Sequence, residues 1–375
     1  MEIVGNKALR FTTHKPHKIA EFIPKSKVVG EDSVVVHWGL DECMVLKNMG
    51  VKNVPSPIKK DYKWHGIYRP FNHQIETASF LTMHMRAYCL NEMGTGKSAS
   101  VLWAADYLME KGYVKRVLIV CPLSIMHSAW KADAFRTVMH RSVGVAHGTK
   151  EVREAVINGH SEIVVINYDG ILSVVDSIER GNFDLIVIDE YNHYKNAQTR
   201  RWKTMNRLIK PHTWLWGLTG SPASQQPTDA YGLAKLMNPS SVPKFYNAFR
   251  DDVMTKITQF KYIPRPDAMD VVYKVLQPAV RYTKAECLDL PPRTYVTREV
   301  PLSPQQKKYY KLLKEQMIIE AAGEEVTTAN AAVNLNKLIQ LSGGSLYSDN
   351  KEVIEFDCSN RQEALLEQRP KSDLP

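Results

Sequence analysis

Five runs of four or five almost unbroken apolar residues constrain this chain more than any other feature: Ala87–Leu90, Val117–Cys121, Ile163–Ile166, Leu185–Ile188 and Trp214–Leu218. None shows the alternation of a strand with one wet face. Runs of this length closed by polar turns read as strands covered on both sides, and such strands belong to a parallel sheet with helices above and below. The intervening segments are long enough for crossover helices, Ala99–Met109 among them, and right-handed βαβ units are the expected connection. The predicted fold class is therefore α/β, a parallel β-sheet flanked by helices.

The first run leads directly into Asn91-Glu92-Met93-Gly94-Thr95-Gly96-Lys97-Ser98, with a helical pattern immediately after. A triphosphate needs backbone N–H groups converging on its oxygens, the positive end of a helix, and a mobile cation. Glycines at 94 and 96 let the backbone wrap close to the phosphates. Lys97 can reach the β- and γ-oxygens, and the Ser98 hydroxyl can ligate Mg2+. This is a Walker A phosphate loop with one departure, since Asn91 stands where the strict pattern has its first glycine. As a surface turn the string would mean little; its place between a buried strand and a helix gives it weight.

A second chemical pattern closes the run Leu185–Ile188, which ends in Asp189-Glu190 in the manner of a Walker B strand. At the C-terminal edge of a parallel sheet Asp189 can hold Mg2+ through water, and Glu190 can orient and deprotonate an attacking water. Alone, two acids at a strand end usually mean solvation. Coming about ninety residues after a phosphate loop, they strengthen it and are strengthened by it. Three more strand ends carry small hydroxyl and amide groups: Pro122-Leu123-Ser124, Asn167-Tyr168 and Thr219-Gly220-Ser221. Such groups suit a phosphodiester backbone or the sensing of a γ-phosphate, although each by itself is ordinary turn chemistry. Trp130 reads as a core aromatic sooner than as a base-stacking platform. Upstream, the Gln74 amide offers both the donor and the acceptor needed to read an adenine edge.

Bulk properties set the frame. Among 375 residues, 49 Lys and Arg against 40 Asp and Glu leave a charge of +9, which suits a polyanionic partner without demanding one. Five scattered cysteines form no CxxC pair and signal neither a zinc site nor a disulfide framework; Cys89 and Cys121 read as small buried hydrophobes. The N-terminus lacks the pattern of a secretory signal, and no apolar run approaches the ~20 residues of a membrane helix. The expectation is a soluble, cytoplasmic protein with no membrane partner. Residues 1–62 form a small accessory segment of mixed character, with Pro55 and Pro57 marking a linker near its end.

Together and in this order, the motifs resemble superfamily 2 helicase-like ATPases, and within them the Swi/Snf type. Asn91–Ser98 is similar to that family's Asp-Glu-Met-Gly-Leu-Gly-Lys-Thr. Asp189-Glu190 with Lys195-Asn196 is similar to Asp-Glu-x-His-x-x-Lys-Asn, except that Asn192 replaces the histidine. Leu218–Pro222 resembles the coupling motif Leu-Thr-Gly-Thr-Pro, and His147-Gly148 and Asn167-Tyr168 resemble two smaller landmarks. Leu290-Pro291-Pro292, Gln305–Tyr310 and Leu335–Gly344 look like the signatures that precede a second lobe. The spelling is most similar to phage-encoded members.

The resemblance implies a RecA-like P-loop ATP-binding lobe over residues 63–235. A mainly helical extension would follow over 236–345, and a truncated start of a second RecA-like lobe over 346–375. It implies ATP and Mg2+ as cofactors, with Lys97, Asp189 and Glu190 catalytic. Arg69, Gln74, Met93, Gly94, Thr95, Gly96, Lys97 and Ser98 would bind ATP, and Ser98 and Asp189 the metal. Thr219, Gly220 and Ser221 would couple the nucleotide to motion. Pro122, Leu123, Ser124, Asn167, Tyr168 and Lys195 would touch the phosphate backbone of duplex DNA without reading sequence. The implied activity is DNA-dependent ATP hydrolysis driving movement on DNA, completed by a second lobe that could act in trans. An alternative is a truncated nucleotide- and DNA-binding module with little hydrolysis of its own. A small-molecule kinase is disfavoured by the five ordered motifs and the absence of a nucleotide-kinase lid.

Overall fold

The structure is a computed structural model that describes residues 1–223, 225–259, 261–287, 297, 299–323, 328–347 and 353–366. They fall into two compact units, Met1–Leu290 and Pro291–Pro375.

The first unit opens with β1 (Glu2–Val4), β2 (Ala8–Thr12), β3 (Ser26–Val29) and β4 (Ser33–His37), an antiparallel sheet in the order β1-β2-β4-β3. Helices α1 (Pro16–Phe22), α2 (Leu40–Asn48) and α3 (Ile58–Asp61) accompany it. Leu9, Val34, Val36, Cys43 and Leu46 are fully buried in the same apolar cluster as Ile119 of the central sheet and Trp103 of a helix that covers it. The accessory segment is thus part of the main core. Pro55 and Pro57, read above as a linker, lie in a packed turn: the Pro55 carbonyl accepts a hydrogen bond from the Trp38 indole (2.9 Å), and Ser56 is buried.

After α4 (Asn72–Thr82) comes the central sheet, made of β5 (Arg86–Cys89), β6 (Val117–Cys121), β7 (Val143–Ala146), β8 (Ile163–Asn167), β9 (Leu185–Ile188) and β10 (Trp214–Leu218). A small hairpin of β11 (Met254–Lys256) and β12 (Tyr262–Pro264) follows, and β13 (Ala279–Val280) returns to the central sheet. The order is β13-β5-β10-β9-β6-β8-β7, with every pairing parallel. Successive residues of each inner strand enter different cores. Val117, Ile119 and Cys121 lie in one cluster, and Leu118 and Val120 in the other. This is why the strands read as unbroken apolar runs. Burial pushes the Cys89 and Cys121 thiols up to about 12, as fits inert core residues.

The crossover segments carry α5 (Lys97–Glu110), α6 (Ala132–Thr137), α7 (Lys150–Asn158), α8 (Tyr168–Ser173), α9 (Val175–Arg180) and α10 (Arg200–Leu208). Beyond the last long strand come α11 (Ala230–Met237), α12 (Tyr246–Val253), α13 (Ala268–Val275) and the single turn α14 (Lys284–Cys287). The five expected strands all form, with shifts of one residue at β5 and β8. Two edge strands escaped the apolar pattern. β7 is only partly buried and contains Gly144, and β13 is two residues long. An edge strand has one neighbour and need not be apolar throughout.

The second unit contains α15 (Pro304–Gly323), α16 (Thr328–Gly343), the hairpin of β14 (Ser345–Tyr347) and β15 (Val353–Glu355), and α17 (Ser359–Leu366). Gln306 ties its start together: its amide oxygen accepts from the Ser303 N–H (3.1 Å) and its nitrogen donates to the Leu341 carbonyl (3.0 Å). Gln305–Tyr310 lies in α15 and Leu335–Gly343 in α16. Leu290-Pro291-Pro292 and residues 367–375 lie outside the described residues. No described helix is long and apolar enough to cross a membrane.

The turn after β9 is clamped by α11. A Cβ on Gly232 would run into the Lys195 carbonyl and come within 2.8 Å of the Tyr194 carbonyl oxygen, while the Gly232 carbonyl accepts from the Trp202 indole (2.9 Å). Gly232→Ala should therefore destabilise the fold by about 1–3 kcal/mol. A urea denaturation midpoint equal to that of the parent would show that α11 is free to slide.

Candidate nucleotide site

Because the strands run in one direction, the C-terminal ends of β5, β10, β9, β6 and β8 stand side by side on one rim. The segments leaving them are the phosphate loop, Thr219–Ser221, Asp189-Glu190, Pro122–Ser124 and Asn167-Tyr168. This rim is where ligands of open α/β sheets bind. Gly220 rests on the phosphate loop, with its would-be Cβ 3.6 Å from the Asn91 carbonyl oxygen and 3.7 Å from the Met93 nitrogen.

The loop's shape follows from its residues. Gly94 (φ +84°) and Gly96 (φ +77°) occupy the left-handed region open to glycine at little cost, and Gly96 caps the start of α5. No acid lies in the first turn of α5, so nothing there offsets the helix's positive end. Asn91 is buried and does what the missing glycine could not. Its nitrogen donates to the Thr77 hydroxyl of α4 (2.9 Å), and its side-chain oxygen accepts from the Tyr282 N–H (3.0 Å). Glu92 adds two further ties, its N–H to the Tyr282 carbonyl (2.9 Å) and its carboxylate from the Lys284 N–H (2.9 Å). The Lys97 ammonium is held by the Asn91 and Glu92 carbonyls at 2.9 and 3.2 Å. Met93 is exposed; Thr95 is buried, its hydroxyl donating to the Glu92 carbonyl (2.8 Å).

Gln74 lies under this loop. Its oxygen accepts the Phe71 N–H (2.9 Å) at the head of α4, its nitrogen donates weakly to the Thr95 carbonyl (3.4 Å), and a Cβ on Gly96 would strike it. His73 also contacts the Thr95 carbonyl (2.8 Å), a support that sequence reasoning missed. Arg69 is exposed.

Across β10 from the loop, Asp189 takes the Glu190 N–H on one oxygen and the Trp130 indole N–H on the other, both at 2.9 Å. Burial raises the Asp189 pKa, while the Trp130 bond, the Glu190 N–H and the nearby Lys97 charge pull it down. Trp130 is fully buried, as its reading as a core aromatic required, and its one polar atom is spent on this carboxylate. Glu190 is half-buried and has φ +44°, a left-handed backbone that costs on the order of 1 kcal/mol for a side chain of this kind. Asp133, three residues beyond Trp130, was not legible as a site residue. Burial raises its pKa, and Arg136 and a hydrogen bond from Ser98 lower it. One short segment thus contacts the side chains of both Asp189 and Ser98.

Farther along the rim Tyr168 is buried, and its hydroxyl donates to the Asp189 carbonyl (2.6 Å). Lys195 pairs with Asp229 (3.3 Å) and donates to Gln225. Leu123 and Ser124 are exposed and Pro122 is half-buried. The side-chain oxygens of Asn167 and Asn192 are buried without a hydrogen-bond partner among the described residues. The arrangement therefore gathers the phosphate loop, the acidic pair and Thr219–Ser221. Tyr168 is engaged inside the fold, and the half-buried Lys195 is held in an ion pair with Asp229.

Residues 73–343 match the family model of the SNF2-related domain. The p41 protein of Acyrthosiphon pisum secondary endosymbiont phage 1 is 26% identical over 305 residues, covering 75% of this chain and 64% of p41. Nuclear protein STH1/NPS1 of Saccharomyces cerevisiae is 25% identical over 288 residues, 70% of this chain and 20% of that protein. The solved Sulfolobus solfataricus SWI2/SNF2 ATPase core in complex with dsDNA superposes with a TM-score of 0.54 at 20% identity, covering 81% of this chain and 65% of that one. The chain spans less than two thirds of the length of each of these relatives. With the family model matched from α4 to the end of α16, the chain belongs to the SNF2-related domain family and has the fold of its ATPase core.

Proposed function

We propose that this chain is the ATP-binding lobe of a DNA-dependent ATPase that couples hydrolysis to movement along duplex DNA. The observation that carries the reading is that the phosphate loop at the end of β5 and Asp189-Glu190 at the end of β9 stand on one rim on either side of β10, whose own end, at Gly220, rests against the loop. The Lys97 ammonium would exchange its two carbonyl partners for β- and γ-phosphate oxygens, and the N–H groups of Gly94–Lys97 would line the phosphates. The hydroxyl of Ser98 and the carboxylate of Asp189 are hard oxygen donors suited to Mg2+, which would neutralise charge on the β- and γ-oxygens. Glu190, half-exposed beside Asp189, would take the proton of the attacking water. Thr219–Ser221, resting on the phosphate loop, would carry the presence of the γ-phosphate outward.

DNA as partner is supported by the family, by the dsDNA complex of the Sulfolobus relative and by the charge of +9. The exposed Leu123 and Ser124 and the half-buried Pro122 are the candidate rim contacts, and none belongs to a base-reading helix. A second RecA-like lobe, in a longer chain or in trans, would supply the cation that stabilises charge on the transferring phosphoryl group, worth roughly 10³–10⁵ in rate in related classes.

Lys97→Ala should abolish Mg-ATP binding, and unchanged affinity by calorimetry would sink the phosphate-loop assignment. Glu190→Gln should retain nucleotide affinity and, with the second lobe supplied, lose hydrolysis; normal turnover would place the base elsewhere.

Trp130→Phe deletes the N–H that lowers the Asp189 pKa, so that pKa should rise further. The carboxylate is then protonated at a higher pH, and the acid limb of Mg2+-dependent nucleotide binding should move upward in pH. A limb that stays put would show that the indole does not tune Asp189. DNA affinity should fall steeply from low to physiological salt and vary little with sequence. Salt-independent or sequence-specific binding in a fluorescence titration would contradict phosphate-type contacts.

A further inference from the structure

At the end of α5 farthest from the phosphate loop, on the order of 20 Å along the helix, four side chains converge that the nucleotide site does not use. Asp106 and Glu110 lie one turn apart on α5. His65 precedes α4, and His140 follows α6. One ligand atom from each lies within 4.8 Å of all the others. His140 Nε2 is 3.0 Å from Asp106 Oδ1, and His65 Nε2 is 3.3 Å from Glu110 Oε1; the two ring centroids are 4.5 Å apart, with the planes tilted by 54°. The His65 backbone is fixed by the Trp103 indole, which donates to its carbonyl (2.9 Å).

Asp106 is 1% exposed on a helix whose neighbouring residues are apolar core. Tyr62 donates to its Oδ2 (2.5 Å) and Arg141 to its Oδ1 (2.6 Å), while Arg141 also pairs with Glu162 (2.8 Å). Around the cluster the carboxyl groups of Asp106, Glu110 and Glu162 outnumber the one guanidinium, Arg141, three to one.

We propose that His65, Asp106, Glu110 and His140 bind a single first-row transition-metal dication, Zn2+ in the cell, as a four-coordinate structural site. Two imidazole nitrogens with two carboxylate oxygens make a donor set for zinc rather than for the all-oxygen ions Mg2+ and Ca2+. Bond lengths of about 2.0–2.2 Å put tetrahedral ligands about 3.4 Å apart, close to the 3.0 and 3.3 Å already present. The remaining closure falls to the part-exposed side chains of Glu110, His65 and His140. Tyr62 and Arg141 become outer-shell groups that orient Asp106. Four protein ligands leave no open position, so the ion's role is to staple the segment before α4 and the turn after α6 to the end of α5. The other end of α5 forms the phosphate loop.

The test is Co2+ titration of the chelator-treated, nucleotide-free full chain. One equivalent should bind with the intense visible absorption of a tetrahedral centre, Zn2+ should displace it, and Zn2+ at a hundredfold excess over Kd should raise the melting temperature by about 5 °C. His140→Asn and Glu110→Gln replace part-exposed residues and should match the parent's melting temperature in chelator. Each should weaken metal binding at least about 100-fold. The proposal is overturned if the parent takes up no stoichiometric Co2+, if the spectrum is the weak one of octahedral oxygen coordination, or if His140→Asn and Glu110→Gln each bind Co2+ as the parent does. A variant that melts early even in chelator leaves the parent's stoichiometry and spectrum to decide.

Discussion

Burial of the central sheet on both faces is the constraint on which the rest of this structure depends. A sheet with no wet face must be covered by helices, and helices that cross from one strand to the next force the strands to run parallel. Parallel strands all end on the same rim. The phosphate loop, Thr219–Ser221, Asp189-Glu190, Pro122–Ser124 and Asn167-Tyr168 are scattered over more than a hundred residues of sequence. They become neighbours because β5, β10, β9, β6 and β8 are neighbours. The chemistry at the rim is a consequence of what is hidden beneath it.

Within that rim, placement is fine-tuned by groups that carry no chemistry of their own. Asp189 is taken out of water by the fold, which favours its neutral form, and is brought back toward the carboxylate by the Trp130 indole, the Glu190 N–H and Lys97. Trp130 and Asp133 sit in the short helical segment that follows Pro122–Ser124, one touching Asp189 and the other Ser98. A ligand pressing on the exposed Leu123 and Ser124 would thus push on a segment already bonded, through Trp130, to Asp189.

The sequence displayed what buried geometry forces it to display. The inner strands were legible because each must be apolar at every position. The phosphate loop was legible because only glycine at 94 and 96 takes the backbone through φ +84° and +77° cheaply. The edge strands were not, because β7 and β13 answer to one neighbour only. The fold of residues 1–62 was hidden because its short strands share a core with distant helices, and pairing of that kind leaves no local signature. Partners of site residues were also invisible. Nothing in the sequence says that Lys195 reaches Asp229, that Tyr168 points inward to the Asp189 carbonyl, or that Gln74 spends its amide on the Phe71 N–H and the loop.

The most informative departures are the two asparagines. Asn91, in place of a glycine, bridges α4 and the segment after β13 at Tyr282, and with Glu92 it bolts the phosphate loop to residues 282–284 by hydrogen bonds of 2.9–3.0 Å. The loop is therefore held on one side by Thr77, His73 and Gln74 and on the other by the chain emerging from β13. Any change in the loop's backbone on taking up phosphate must be shared with that emerging chain. Asn192 is the opposite case. Standing where the resemblance leads one to expect a histidine, it has a buried side-chain oxygen without a hydrogen-bond partner among the described residues, a cost of about 1–3 kcal/mol if nothing satisfies it. A group bearing that cost in the turn after Glu190 is stabilised by any rearrangement that brings it a donor. A change of nucleotide state at the neighbouring carboxylates is one such rearrangement.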